Sequence, residues 1–468
     1  MTLWQNLTLE NFSLYRWQDA SFFYSLIGRP ARVWRKSSFL LQWGDALAAL
    51  LISLFFALAP FVSNDLLGVL LIACAGFWIL LTLSDEPQIT GVSPIHLLVL
   101  LYWSIATTAT ALSPVKKAAL IGLIKLTLYL LLFALLARVL RINRFRSWII
   151  AVYLHVSLIV SVYGMRQWFF KAEALATWTD PESPLAKMTR VYSYLGNPNL
   201  LAGYLVPAVV FSIAAIFAWR GLGPKALAVT MAVLNGACLI LTFSRGGWIG
   251  FVVSLGALAL FLVYWFSVKL PTHWRTWALP GTLMSAAVLL ILAVVFIEPV
   301  RDRVLSMFVG RGDSSNNFRI NVWAAVQEMI RARPILGIGP GNNAFNKIYP
   351  LYMRPRFSAL SAYSIWLEIA VETGFIGLSC FMWLLLVTFN QARLQLVRMR
   401  QAGNTEAYWL MAASATMIGM LAHGFVDTVW YRPEVSSLWW MMVAIIASYY
   451  IPPHRQPAFA LSTAETSA

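Results

Sequence analysis

Charge is scarce in this 468-residue chain. Asp, Glu, Lys and Arg make up 12% of it, against about a quarter in soluble domains. A soluble protein so poor in charge could not cover its own surface, which excludes a soluble multidomain enzyme. Cysteine is scarce too. Cys74, Cys238 and Cys380 each stand singly inside apolar runs, so neither a disulfide scaffold nor a redox or metal pair is available. All three are expected as small buried hydrophobes. Neither a metal nor a cofactor is expected. Disorder is excluded by a hydrophobic content of 60%.

Long apolar runs are what the chain has. A span needs about 20 mostly apolar residues to cross about 30 Å of hydrocarbon. Such runs fall near residues 40–62, 66–83, 95–112, 119–140, 148–165, 199–218, 226–244, 247–266, 281–298, 361–389, 407–427 and 436–451. All are expected to be helices, because lipid leaves an open chain no other way to satisfy its backbone. The fold class is therefore an all-α polytopic membrane protein with about twelve transmembrane helices. One long loop separates spans 9 and 10.

Orientation follows from the basic residues. No cleavable signal is evident, and Arg29, Arg32, Arg35 and Lys36 precede the first run, which places residues 1–39 in the cytoplasm. Threading from there through the helices of 40–298 puts Arg141, Arg144, Arg146, Arg220, Lys225, Lys269 and Arg275 inside. After the loop at 299–360 and the helices of 361–451, it puts Arg393, Arg398, Arg400 and the 452–468 tail inside as well. Lys116 and Lys117 are exceptions, and the acidic Asp85–Glu86 turn weighs little. The expectation is a plasma (inner) membrane protein with both termini cytoplasmic. The net charge of +16 then reflects orientation and anion handling, with the lipid bilayer and not nucleic acid as partner.

The same threading gathers residues 165–198, the Ser244–Gly247 hinge and the 299–360 loop on the outer face. That loop holds nine basic side chains against three acidic ones, a net +6. Within 318–333, Trp323, Val326 and Ile330 recur at helical spacing, with Arg319 one turn before Trp323. Two compatible readings are an interfacial amphipathic helix and an arginine turned into a cleft to grip an anion. Arg245 at the Ser244–Gly247 hairpin either snorkels or faces the same cavity, and the glycines serve the tight turn. Asn197-Pro198-Asn199 reads as a turn and helix cap, with Arg190 nearby; its amides could also line the cavity. Pro334–Asn342 lacks a preceding strand and a following Lys-Ser/Thr, so it reads as a rigid turn and not a nucleotide loop. Ser364, Glu368 and Glu372 share one helix face, as dipole-stabilised carboxylates or as partners for arginines and protons. Only His423, one turn before Asp427, approaches the outer face among the histidines.

In their order, the Gly196-Asn197-Pro198-Asn199-Leu200-Leu201-Ala202 and Phe243-Ser244-Arg245-Gly246-Gly247-Trp248 segments, Arg319 with Trp323, Pro334–Gly341, and Trp366-Leu367-Glu368 with Glu372-Thr373-Gly374-Phe375-Ile376-Gly377 resemble the O-antigen ligase and polymerase superfamily. The likeness runs from about Tyr163 to Gly377. Within it, Ser361-Ala362-Tyr363-Ser364-Ile365-Trp366-Leu367-Glu368 resembles the cyanobacterial branch named inorganic carbon transporter B. The ligase resemblance implies transfer of a polyprenyl-diphosphate-linked glycan at the outer face, with Arg245 and Arg319 on the diphosphate. It also implies a histidine base where this chain has Tyr363, followed by Ser364. A phenol of ordinary pKa near 10 is a poor base at neutral pH.

Two functional expectations follow. The first, from the branch, is transport of bicarbonate or another small anion through an outer site built from Arg190, Arg245, Arg319, Asn197, Asn199, Glu368 and Glu372. The absence of an obvious broken-helix repeat pair weighs against it. The second is a glycan ligase or polymerase with Tyr363 or His423 as a replacement base. A non-catalytic scaffold is the residual reading.

Overall fold

The computed structural model describes residues 3–10, 22–85, 92–171, 190–296, 298–305 and 308–451. Glu86, residues 172–189 and the 452–468 tail, all named above, lie outside the described residues, as do the side chains of Arg29 and Arg303.

Each expected span has a helix. An amphipathic helix α1 (Phe22–Ser37) precedes α2 (Gly44–Leu58), α3 (Asn64–Ser84), α4 (Pro94–Ala111), α5 (Lys116–Val139) and α6 (Asn143–Phe169). Next come α7 (Pro198–Ala218), α8 (Leu222–Leu241), α9 (Arg245–Phe266) and α10 (Thr272–Phe296). The long connection carries α11 (Glu298–Leu305), α12 (Ser314–Ala332) and α13 (Asn342–Ile348). The chain then completes α14 (Ile365–Gln401), α15 (Ala407–His423) and α16 (Pro433–Ser448). Among the described residues, eight helices are long and apolar enough to cross a membrane, and α2 and α16 are shorter apolar helices. The protein is an all-helical, multi-pass membrane protein.

Local chemistry sets the helix starts. Asn197 and Asp313 accept first-turn amide hydrogens of α7 and α12 through their side chains, and prolines occupy the opening turn of α4, α7 and α16. The buried interior runs along α7, α15 and α16, while α9 keeps most of its surface toward the surroundings. Polar side chains bind helices where no hydrophobic gradient can. Asn235 Oδ1 of α8 accepts from Ser161 Oγ of α6 at 2.7 Å, and its Nδ2 donates to Ser157 Oγ at 3.2 Å. Such bonds contribute about 0.6 kcal/mol each in membranes. Cys74, Cys238 and Cys380 are buried and free, as expected.

Two faces emerge. At one, Asp85 pairs with Arg35 of α1 and Arg138 of α5, and Arg138 also meets Asp45 at 2.7 Å. Arg146, in the first turn of α6, meets Glu406 at 2.6 Å on the same face. The opposite face is closed by the 308–364 segment. There Val322, Val326, Met329 and Ile330 of α12 pack with Phe345, Tyr349 and Val371 into a second core, apart from that of the membrane helices.

The Pro334–Asn342 stretch contains the expected turn, with Gly337 N donating to Arg333 O at 3.2 Å, and is also held to its neighbour. It lies along α14 as an extended clip: Ile338 N donates to Val371 O and Gly339 N to Glu372 O, both at 2.9 Å, and Phe375 N donates to Pro334 O at 2.7 Å. Those carbonyls are available because α14 is interrupted at Gly374, whose φ is 67°. A Cβ at Gly374 would overlap the Ile335 carbonyl, so this position requires glycine.

Candidate active site

Four segments converge on the loop face: the chain entering α7, the α8–α9 hairpin, the start of α12, and the chain leaving α15. Arg190 donates through Nε to Thr242 O at 2.9 Å and through Nη2 to Asn199 Oδ1 at 3.0 Å. Asn197 stands one step back. Its Oδ1 accepts from Asn199 N at 2.8 Å and Leu200 N at 3.2 Å, which makes it the α7 cap that holds Asn199 in place.

Arg245, 7% exposed, opens α9 and does not snorkel. Its Nη2 reaches Asp313 Oδ1 at 2.8 Å across the cleft. The hairpin itself differs from the expected glycine turn. Phe243 takes the positive φ, at 49°, while Gly246 and Gly247 lie in the first turn of α9. Their smallness serves close packing: a Cβ on Gly246 would sit 2.6 Å from His423 Cδ2. His423 is thereby buried against the turn that carries Arg245, and its Nε2 has no hydrogen-bond partner among the described residues.

Arg319 projects from α12 into the same cleft. Its Nε donates to Val426 O and its Nη1 to Ser315 Oγ, both at 2.7 Å, and its Nη2 lies 4.0 Å from Asp427 Oδ2. The helix buries one apolar face and turns this arginine inward. Burial pushes the Arg190 guanidinium down to about 10, with Arg245 and Arg319 pushing the same way and Asp427 opposing. Arg319 is lowered as well, chiefly by burial, with Asp427 partly offsetting. Three guanidiniums thus face two carboxylates in a low-dielectric cleft, an excess of positive charge that favours an anion.

Tyr363 borders this group. Its backbone φ is 50°, its carbonyl accepts from Trp323 Nε1 at 3.3 Å, and its ring meets Phe318 edge-on at 5.3 Å. Burial holds the phenol well above its ordinary value, and the negative charge of Asp427 adds to that. The phenol therefore keeps its proton at neutral pH.

Glu368 and Glu372 are placed differently from the arginines. Glu368 Oε2 accepts from Ala362 N, and Glu372 Oε1 accepts from Gly341 N, both at 2.6 Å. They staple the two ends of the 341–362 segment to α14, and neither forms an ion pair among the described residues. Two members of the cleft were not among the sequence candidates. Asp313 carried a visible signal, a cap residue ahead of a helix. Asp427 had only its spacing from His423.

The architecture is that of a multi-pass membrane protein with a buried, arginine-lined cleft beneath a loop helix. Residues 230–382 match the model of the O-antigen ligase family. The matched segment includes Arg245, Arg319, Tyr363, Glu368 and Glu372, while Arg190, Asn197, Asn199, His423 and Asp427 lie outside it. No match to a curated protein was found. The match is to the ligase family, and nothing in it supports the inorganic carbon branch.

Proposed function

We propose that the chain is a glycan ligase or polymerase that takes a sugar chain from a polyprenyl diphosphate donor. The observation carrying this reading is the convergence of Arg190, Arg245 and Arg319 on one buried cleft next to Asp427. Arginine suits a diphosphate because its planar fork binds two oxygens at once and stays charged. In this reading Arg245 and Arg319 hold the diphosphate and stabilise the charge that develops as the glycosidic C–O bond breaks. The acceptor hydroxyl attacks the anomeric carbon, and its proton goes to the Asp427 carboxylate or to His423, since Tyr363 already carries its own. The loop face is then the outer face of the plasma membrane, where such donors present their glycans, and both termini are cytoplasmic.

The test is transfer by the purified protein in liposomes supplied with a polyprenyl-diphosphate-linked oligosaccharide and an acceptor glycolipid. The expected result is transfer with release of polyprenyl diphosphate, lowered about 100-fold by Arg319→Ala, as for loss of one charge-stabilising donor. Accumulation of labelled bicarbonate by the same liposomes, without any transfer, would overturn this reading in favour of the small-anion carrier.

A further inference from the structure

At the opposite end of α7 from Asn197, a second polar feature lies outside the cleft. An open groove of about 450 Å³ is lined by His155 of α6, Trp219 and Arg220 after α7, and Gly223, Pro224 and Leu227 of α8. His155 stands on a membrane helix yet is exposed. It shares a stripe with Trp148, Ile159 and Val162, which are 56%, 53% and 52% exposed at helical spacing. That stripe is apolar and faces hydrocarbon, so an imidazole within it requires a polar partner. Its Nδ1–H donates to Ala151 O at 2.7 Å, which leaves Nε2 for a ligand.

Arg220 is exposed at the rim, and no described residue pairs with it. Lys225 lies one turn away on α8, and no acidic side chain lines the groove. Trp219 supplies the amphipathic ring common at membrane interfaces. The first turn of α8 has no side-chain cap, so its N–H groups add to the local positive potential. A water-filled anion site would not open onto an apolar stripe; a lipid site would, with acyl chains running past Ile159 and Val162.

We propose that this groove holds the headgroup of an anionic phospholipid, its phosphate on Arg220 and His155 and its chains along the exposed face of α6. Such a lipid would fix the α7–α8 connection against α6, far from the arginine cleft.

The test uses the full chain in detergent, titrated with palmitoyl-oleoyl phosphatidylglycerol or phosphatidylcholine and read by native mass spectrometry. Phosphatidylglycerol is expected to bind about fivefold more tightly, as one basic residue at an anionic surface supplies. The double variant Arg220→Gln/His155→Phe should bring it to the phosphatidylcholine level. Leu227→Trp, which fills the groove and keeps both polar groups, should lower retention as well, while binding of pyrophosphate at the distant cleft stays unchanged in each variant. Equal retention of the two lipids, or unchanged phosphatidylglycerol retention in both variants, would overturn the proposal. So would displacement of the lipid by millimolar inorganic phosphate, which would make the groove a free-anion site.

Discussion

Asp313 Oδ1 accepts from both Arg245 Nη2, at 2.8 Å, and Asn316 N, at 2.9 Å. One carboxylate oxygen therefore caps α12 and restrains a cleft arginine. An incoming phosphate oxygen must compete with that carboxylate for Arg245. Asp313→Asn keeps an oxygen for the cap and removes the charge, so inorganic pyrophosphate is expected to bind several-fold more tightly to it, measured by calorimetry. Asp313→Ala loses the cap as well and should cost about 1 kcal/mol of loop-helix stability in addition. Weaker pyrophosphate binding by Asp313→Asn would show that the carboxylate does not compete.

The crowding of Arg190, Arg245 and Arg319 makes a second prediction. Their mutual repulsion is relieved when an anion enters, so pyrophosphate should raise the thermal unfolding midpoint, more at low than at high salt. Arg190→Gln removes one repelling charge; it should reduce the ligand-induced shift while leaving the unliganded protein at least as stable. Equal shifts in the two proteins would place the anion elsewhere.

Tyr363 offers a pH test. Its folded-state pKa lies above the unfolded value of about 10. The associated stability is fully present below pH 10 and is lost as pH rises beyond it. No ionisation of Tyr363 should therefore shape a transfer profile between pH 6 and 9. Tyr363→Phe is expected to change turnover by less than about threefold, whereas Tyr363→His should add a limb near the ordinary histidine pKa of about 6.5. Abolition of transfer by Tyr363→Phe would assign the phenol a larger part.

The close contact of Gly246 with His423 predicts a suppressor pair. Gly246→Ala forces a Cβ against the ring and should destabilise by about 1–3 kcal/mol. In a His423→Ser background, where the ring is gone, the same change should cost less than half as much. Denaturant unfolding of the four proteins measures the coupling, and additive effects would exclude it.

Gly374→Ala adds a side chain where the backbone is left-handed and the Ile335 carbonyl already sits. It should release the 334–341 clip from α14, read as new protease cleavage in that stretch, with an expected loss of about 2–4 kcal/mol. A clip as resistant as in the parent protein would contradict the packing described.

The helices were legible in the sequence because hydrocarbon imposes a simple rule, about 20 apolar residues per crossing, and all twelve runs became helices. The α12 pattern and the Asn197 cap were equally local and equally readable. The cleft was legible only in part. Arg190, Arg245 and Arg319 could be suspected one by one as charges where charge is costly, but Asp313 and Asp427 gain meaning only beside arginines 68 and 108 positions away. Gly246 and Gly247 looked like turn formers, yet Phe243 makes the turn, and the glycines instead admit His423 and Ala202.

Composition and periodicity thus decided that this chain crosses a membrane, where its helices lie, and that its few charges matter. Tertiary structure alone decided which charges meet, that Glu368 and Glu372 bind backbone and not arginine, and that α14 breaks to receive a clip. The reason is physical. Helix formation in an apolar medium depends on neighbours within one or two turns, whereas a charged cleft is set by side chains that only long-range packing brings together.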